Sequence, residues 1–474
     1  MVPMTVGEIA SAVGGTVLCG VDVVVRKPVV IDSREVVAGS AFAAFVGDQA
    51  DGHDFVRAAF DRGASLALVS RPVEVDDGAV VLVKDVQMAL GSLAREVAGR
   101  LGAKVVGITG SSGKTSTKDL LFQLLEPAGP VVATARSFNN EIGFPLTVLR
   151  ADTDTQHLVL EMGARGIGHL EYLCGIARPH VGAVINVGTA HAGEYPDGQR
   201  QIAQAKGELV ESLSRDGVAV LNADDPHVAP MAHRTDADIL WWSTNSTDAQ
   251  ARAFDIQLDR EGRPSFVLAI DGQEERLRLR LHGAHSAANA AAAAAVAHSL
   301  GIGLTDIAER LQAAERLSAG RMQTTTRPDG VTIINDAFNA NTDSMHAALT
   351  TLAAMTARRH IAVLGEMAEL GDLAEEEHRQ VGKIAANTGL DHLIVVGGHM
   401  AAALAHKAKG HTRVDHAPTP QDAATLLTKA NLSKGDVVLF KASHTAHLDK
   451  LADRTAAALQ AERHGAAGRA CHQR

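Results

Sequence analysis

Aromatic residues are scarce in this chain: two Trp, two Tyr and eleven Phe, 3% of 474 residues. So few flat side chains leave little on which successive bases could stack. Basic clusters are missing too, and the formal net charge is −10. A nucleic-acid partner, which needs grouped Lys and Arg against phosphate, is therefore not expected. The three cysteines, Cys19, Cys174 and Cys471, are scattered and no C-x-x-C occurs. That arrangement offers neither a disulfide framework nor a structural zinc site, and it fits a reducing cytoplasm. The first residues, MVPMTVGEIA, carry no basic flank and no long apolar stretch, so no secretory leader is expected. The longest apolar-looking run, SAANAAAAAAVAHSL, is mostly alanine. It is too short and too weakly hydrophobic to span a bilayer, and it reads as a closely packed helix.

What remains is an ordinary globular composition, 46% apolar and 21% charged, on a chain too long for one core. The first hundred residues alternate β and α signals, from TVLCGVDVVVRKPVVIDSREV to DGHDFVRAAFDRGASLALVS, and predict a small α/β domain over 1–102. Residues 103–318 carry candidate strands at 104–109, 157–162, 181–187, 217–222 and 265–270, with helical patterns between the early ones. That alternation predicts a largely parallel sheet, with an antiparallel appendage over 252–280. Residues 319–474 repeat the doubly wound pattern with strands at 331–338, 360–367, 392–398 and 436–443. The small, polar tail AERHGAAGRACHQR is expected to fray.

The stretch GITGSSGKTSTK, at 107–118, lies between a β-branched run (KVVGIT) and a helical pattern (STKDLLFQLLE). Gly110 and Gly113 allow the backbone to bend, and a helix start turns unpaired N–H groups outward. Strand, glycine turn and helix N-terminus together make an anion site. Lys114 would add a charge beside nucleotide phosphates and the Thr115 hydroxyl would reach Mg²⁺. The strict phosphate-loop pattern wants Gly where Ile108 stands, which argues against a GTPase or a transport ATPase. The plainer alternative is a Gly/Ser turn with an incidental lysine.

In open α/β sheets, chemistry collects past strand ends. Glu161 follows HLVL, Asn186 and His191 follow the next strand in INVGTAHAGEY, and Asp336 ends VTIIND. With Thr115, Glu161 could complete an oxygen shell for Mg²⁺, and His191 could hold a second metal. Taken singly, Glu161 reads equally well as a surface carboxylate and His191 as a loop histidine.

Several stretches, in order, resemble the Mur ligases of peptidoglycan assembly over nearly the whole chain. IDSREVVAGSAFAAFVGDQADGHDF is similar to the family's uridine-nucleotide segment, and GITGSSGKTSTK to its ATP loop, which accounts for the broken spacing. LEMGARGIGHL, NVGTAHAGEY and IAQAKGEL are similar to its central motifs; NDAFNANTDSM and LGEMAELGDLAEEEH to its C-terminal ones. SFNNEIGFPLTVL is similar to the stretch that marks the member adding a dipeptide. No D-N-P-R stretch of the diaminopimelate-adding member occurs.

The resemblance implies three α/β domains: a small N-terminal domain for a UDP-sugar, a central P-loop domain with a parallel sheet, and a C-terminal Rossmann-like domain. It implies an ATP- and Mg²⁺-dependent ligase that adds D-alanyl-D-alanine to UDP-N-acetylmuramoyl-tripeptide through an acyl phosphate, releasing ADP and phosphate. Such an enzyme is expected to be a cytoplasmic monomer acting on small molecules, without membrane insertion. Ser33 and Arg34 would hold the UDP-sugar, and Asn139 and Asn140 its peptide-bearing part. Gly110, Ser111, Ser112, Gly113, Lys114, Thr115 and Ser116 would bind ATP, with Asn289 on adenine. Arg321 and Asp336 would reach the nucleotide from the C-terminal domain. Glu161 and Thr115 would serve one Mg²⁺ and His191 a second. Lys206 stands where the family carries a carbamylated lysine, an anionic oxygen ligand made from a cation. Asn339 and Asn341 would lie beside the incoming dipeptide. Catalysis would then rest on Lys114, His191, Lys206 and Asp336. For Lys206 the plainer reading is a surface lysine, for Arg321 a linker charge, for Asn339 and Asn341 an Asx turn.

Three positions depart from the family's pattern. Phe338 stands where Tyr is usual, Thr342 where Pro is usual, and KASHTAH puts His444 where an Arg is expected. All three lie where the incoming dipeptide would be chosen. A paralogue using D-alanyl-D-lactate or another amine, a sister ligase adding a single amino acid to a UDP-muramyl peptide or a folylpolyglutamate-type enzyme, and a nucleotide-binding homologue with impaired catalysis are the competing readings.

Overall fold

The computed structural model describes residues 1–75, 78–135, 137–189, 192–315, 318–400 and 412–457. His191, the tail from 458 and Cys471 lie outside the described residues. Within them Cys19 is exposed and Cys174 buried, both as free thiols. No helix among the described residues is long and apolar enough to cross a membrane.

Three large sheets follow one another along the chain. The first has five strands in the order Thr16–Cys19, Ala79–Leu82, Leu66–Val69, Ala41–Ala43, Val29–Val30, all pairs parallel except the first. Helix Val86–Gly99 packs this unit against the next through Leu90, Leu93, Ala94 and Val97.

The second sheet has nine strands. Within it Lys104–Thr109, third from one edge, is flanked by Val181–Val184 on one side and His157–Glu161 on the other, both parallel to it. The predicted hairpin region forms the antiparallel edge: Ala251–Leu258, Pro264–Ile270 and Gln273–Arg278. Two strands lack a sequence forecast, Val131–Ala133 at one edge and Asp238–Ser243 inside the sheet. The alanine-rich run is helix His285–Ser299, with Ala290 to Ala297 wholly buried. Methyl side chains let its backbone lie close to helix Lys114–Leu125, whose Leu120, Leu121 and Leu124 share the same core.

The third sheet has six strands in the order Gln323–Thr326, Thr332–Asn335, Asp436–Lys441, Arg359–Leu364, His392–Val396, Arg413–Ala417. Only the first pair is antiparallel. Chain order and spatial order diverge at Asp436–Lys441, which lies between the strands that precede and follow helix Thr342–Ala354. Such a switch leaves a crevice at the strand C-termini, and here it opens toward the loop at 110–113.

Candidate active site

The strand Lys104–Thr109 ends in a glycine turn in which Gly110 and Gly113 both take positive φ. Gly113, at φ 80°, is the N-cap of helix Lys114–Leu125. A Cβ there would lie 2.6 Å from Asn289 Oδ1, so glycine is required both by conformation and by space. The turn is held from the neighbouring strand end: Asn186 Oδ1 accepts from the amides of Ser111 and Ser112, each at 2.9 Å. Its Nδ2 donates to Ser112 Oγ at 3.0 Å. Asn186 therefore shapes the glycine-rich loop.

Helix start, strand ends and the third domain surround one cavity of about 560 Å³. The loop residues Ser111 to Ser116 line it on one side, with Asn289 behind them. Lys114 Nζ folds back onto Gly110 O at 2.6 Å. Burial lowers its pKa from the ordinary lysine value; Glu161 opposes this and Arg321 adds to it.

Glu161 is 1% exposed. Its Oε1 accepts from Asn139 Nδ2 at 2.7 Å. Its Oε2 is buried and has no hydrogen-bond partner among the described residues. A carboxylate oxygen in that state is costly unless a cation or donor meets it. The plain surface-carboxylate reading of Glu161 is thus excluded by its burial.

Lys206, on helix Gln199–Glu211, is also buried and lines the cavity. Its pKa is held well below the ordinary lysine value, first by burial and then by the nearby Lys114 charge. An ammonium placed beside another cation, out of water, gives up its proton readily. The surface-lysine reading fails for the same reason.

The C-terminal domain supplies the opposite wall. Asp336 Oδ2 receives a hydrogen bond from Lys441 Nζ at 2.6 Å, and its Oδ1 accepts from the Met322 amide at 3.0 Å. Lys441, 2% exposed, also donates to Asn339 O at 3.1 Å. Burial lowers the Lys441 pKa, while the Asp336 charge and hydrogen bond oppose that shift. Arg321 crosses the gap: its Nη2 stands 3.4 Å from Thr115 Oγ1, and its guanidinium lies over the Phe338 ring at 4.6 Å. His444 stacks on the same ring, with centroids 5.6 Å apart.

Among the expected residues, the cavity gathers Ser111 to Ser116, Asn139, Asn140, Glu161, Lys206, Asn289, Arg321, Asp336, Asn339 and Asn341. Gly110 lies under the loop as the acceptor for Lys114. Two of the asparagines also hold local structure. Asn140 Oδ1 accepts from the Gly143 amide at 2.9 Å, and Asn341 is the N-cap of helix Thr342–Ala354 with a reciprocal Ser344 contact. Ser33 and Arg34 stand apart in the first domain, where Arg34 is exposed and paired with Asp32 at 2.6 Å. They do not line the cavity. Lys441 has no forecast role in the sequence, although a lysine closing the wholly buried strand Asp436–Lys441 was the signal for it. His285, whose Nδ1 is buried and unpartnered among the described residues, lines the cavity too and has no sequence forecast either.

Comparison with known proteins places these features in a family. Residues 27–105 match the model of the Mur ligase family catalytic domain, 108–297 the Mur ligase middle domain, and 320–444 the Mur ligase glutamate ligase domain. The UDP-N-acetylmuramoyl-tripeptide–D-alanyl-D-alanine ligase of Mycobacterium tuberculosis is 42% identical, over 96% of this chain and 98% of that protein. The ligase of the same name from Bacillus subtilis is 34% identical over 95% and 98%. The crystal structure of MurF from Acinetobacter baumannii superposes with a TM-score of 0.85 at 30% identity, covering 96% of this chain and 99% of that one. MurF ligase from Thermotoga maritima in complex with ADP gives 0.78 at 30% identity, covering 92% and 98%.

Proposed function

The chain belongs to the Mur ligase family, and from that premise we propose that it joins D-alanyl-D-alanine to UDP-N-acetylmuramoyl-tripeptide at the expense of ATP, in peptidoglycan precursor synthesis. The observation that carries this reading is the shared cavity. Phosphate loop, buried carboxylate and the Arg321/Asp336/Lys441 wall face one space, so a nucleotide, a carboxyl group and an amine can meet there.

A carboxylate is a poor electrophile toward an amine. Attack of one carboxylate oxygen on the γ-phosphorus of ATP breaks the bond to ADP and makes an acyl phosphate. The dipeptide's amine then adds to the acyl carbon, loses a proton, and expels phosphate. Lys114, the loop amides and Arg321 are the groups that would spread the charge on the transferring phosphoryl group. Asn139 would orient the peptide-bearing substrate beside Glu161. Asn339 and Asn341 would place the dipeptide, and Ser33 and Arg34 the uridine nucleotide at the far end. Domain closure over the cavity would exclude water and protect the acyl phosphate. The units that would move are 1–102, 103–318 and 319–474.

The orphaned, buried Glu161 Oε2, in the cavity that Thr115 also lines, suits a hard divalent cation. Thr115, Glu161, His191 and a modified Lys206 would hold Mg²⁺, which supplies neutralising charge for phosphoryl transfer when bound. An uncharged Lys206 amine is the form that adds to CO₂, so its depressed pKa supports carbamylation. The remaining proposals are a cytoplasmic location and a monomeric state.

One assay tests the function. The full-length protein is incubated with UDP-N-acetylmuramoyl-tripeptide, ATP and Mg²⁺, and D-Ala-D-Ala is compared with D-Ala-D-Lac by mass spectrometry. Ligation of D-Ala-D-Ala with ADP release supports the reading. Preference for the depsipeptide would assign a paralogous activity, and inactivity with both would leave a nucleotide-binding homologue.

A further inference from the structure

Glu377 is a carboxylate with no part in the reaction as described above, yet it is only 6% exposed. It sits on helix Ala374–Asn387, and two hydroxyls from different domains converge on its Oε2. Thr189 Oγ1 donates from the central domain at 3.0 Å. Thr342 Oγ1 donates from the start of helix Thr342–Ala354 in the C-terminal domain.

Each arm of this bridge ends at the cavity. On the nucleotide side, Thr189 follows Gly188, whose carbonyl accepts from Ser111 Oγ at 3.3 Å, and Asn186, which holds the Ser111 and Ser112 amides. On the other side, Thr342 follows Asn341, the helix cap that lines the cavity with Asn339. The surfaces beside the bridge touch without slack. A Cβ on Gly188 would lie 2.2 Å from Asp343 Oδ2, and one on Gly193 would lie 2.5 Å from the Gly371 amide nitrogen. The Gly193 amide donates to Glu369 O at 3.3 Å.

We infer that Glu377 is a positioning residue that ties the nucleotide loop to the amine-substrate side when the central and C-terminal domains close. The physical reason is the location of its donors. Thr342 belongs to the same domain and stays with the carboxylate in any arrangement, whereas Thr189 reaches it only when the two domains meet. A buried carboxylate gains most from a hydrogen bond that replaces lost water, so the charge favours the closed arrangement. Closure then sets the 339–341 segment in register with the loop that holds the phosphates. The bridge also gives Thr342, which departs from the family's usual proline, a specific task. This inference rests on the reading that a dipeptide is the amine substrate.

The test uses the full chain with Thr189→Val, which keeps the shape and removes only the interdomain donor, and Thr189→Ser, which restores it. For Thr189→Val, kcat/KM for D-Ala-D-Ala is expected to fall about tenfold or more, mostly in KM. ATP affinity measured without dipeptide is expected to stay within about twofold, and Thr189→Ser to recover most of the loss. Glu377→Gln, which keeps the outline without the charge, is expected to show the same split and serves if the valine variant fails to fold. An unchanged dipeptide kcat/KM, or an equal loss of ATP affinity, overturns the inference. If wild-type protein releases no ADP on adding dipeptide, the functional reading itself fails; an active wild type with an unaffected Thr189→Val sinks only the bridge.

Discussion

The Arg321 guanidinium reaches 3.4 Å from the Thr115 hydroxyl, so a residue of the C-terminal domain meets the first turn of helix Lys114–Leu125. Its other contact is the face of Phe338, at 4.6 Å from the ring centroid. A flat cation held this way can address phosphate with two N–H groups at once, which an ammonium does not do. Arg321→Lys is therefore expected to lower kcat by about a hundredfold, with the thermal midpoint unchanged. Steady-state ADP release and a melting curve check both halves; a near wild-type kcat would remove Arg321 from the site.

Asp336 and Lys441 form a buried ion pair at 2.6 Å. Removing one partner leaves the other charge unmatched and out of water. Asp336→Ala is expected to destabilise the C-terminal domain by about 3–5 kcal/mol, whereas an apolar replacement of both residues costs much less. Urea denaturation of the two variants checks this, with the double replacement as the control for packing.

Lys206 gives a pH prediction with a definite sign. The unfolded chain keeps an ordinary lysine that stays protonated up to about 10.5, while burial and Lys114 hold the folded group well below that value. Between the two, the unfolded state binds one more proton, so stability rises with pH and is lost as pH falls toward the folded value. Lys206→Met is expected to abolish activity, to raise stability at neutral pH in CO₂-free buffer, and to flatten that pH slope. Denaturation midpoints from pH 6 to 10 measure it. A parallel slope in both proteins would show that Lys206 is not the source.

Asn341 carries a structural duty and, as proposed, a substrate one, and they can be separated. Loss of its cap in Asn341→Ala is expected to cost about 1 kcal/mol. Asn341→Asp keeps an oxygen acceptor for the Ser344 amide, so stability returns while a new charge faces the cavity. A KM for dipeptide that stays high in the Asp variant would separate the two roles; recovery of both would make Asn341 a cap alone.

Much of this architecture is written in local patterns. The β-branched run before Gly110 and the apolar spacing after Lys114 mark strand, turn and helix without knowledge of the rest, because periodicity and glycine act over a few residues. The alanine run announces a close helix contact for the same reason. Val131–Ala133 and Gln323–Thr326 are not legible: three or four residues carry too little alternation, and their pairing comes from distant strands. The Lys441–Asp336 pair is hidden because 105 residues separate its members. Only the crossover that inserts Asp436–Lys441 beside Thr332–Asn335 brings them together. Glu377 looks like one of three adjacent helix-start glutamates, Glu375 to Glu377, until Thr189 is seen beside it.

Isotope transfer tests the central chemistry most directly. The tripeptide substrate's terminal carboxyl is labelled with ¹⁸O and turned over with ATP, Mg²⁺ and D-Ala-D-Ala. Activation through an acyl phosphate places one labelled oxygen in the released phosphate and leaves ADP unlabelled. Unlabelled phosphate, or label recovered in AMP, would contradict the account.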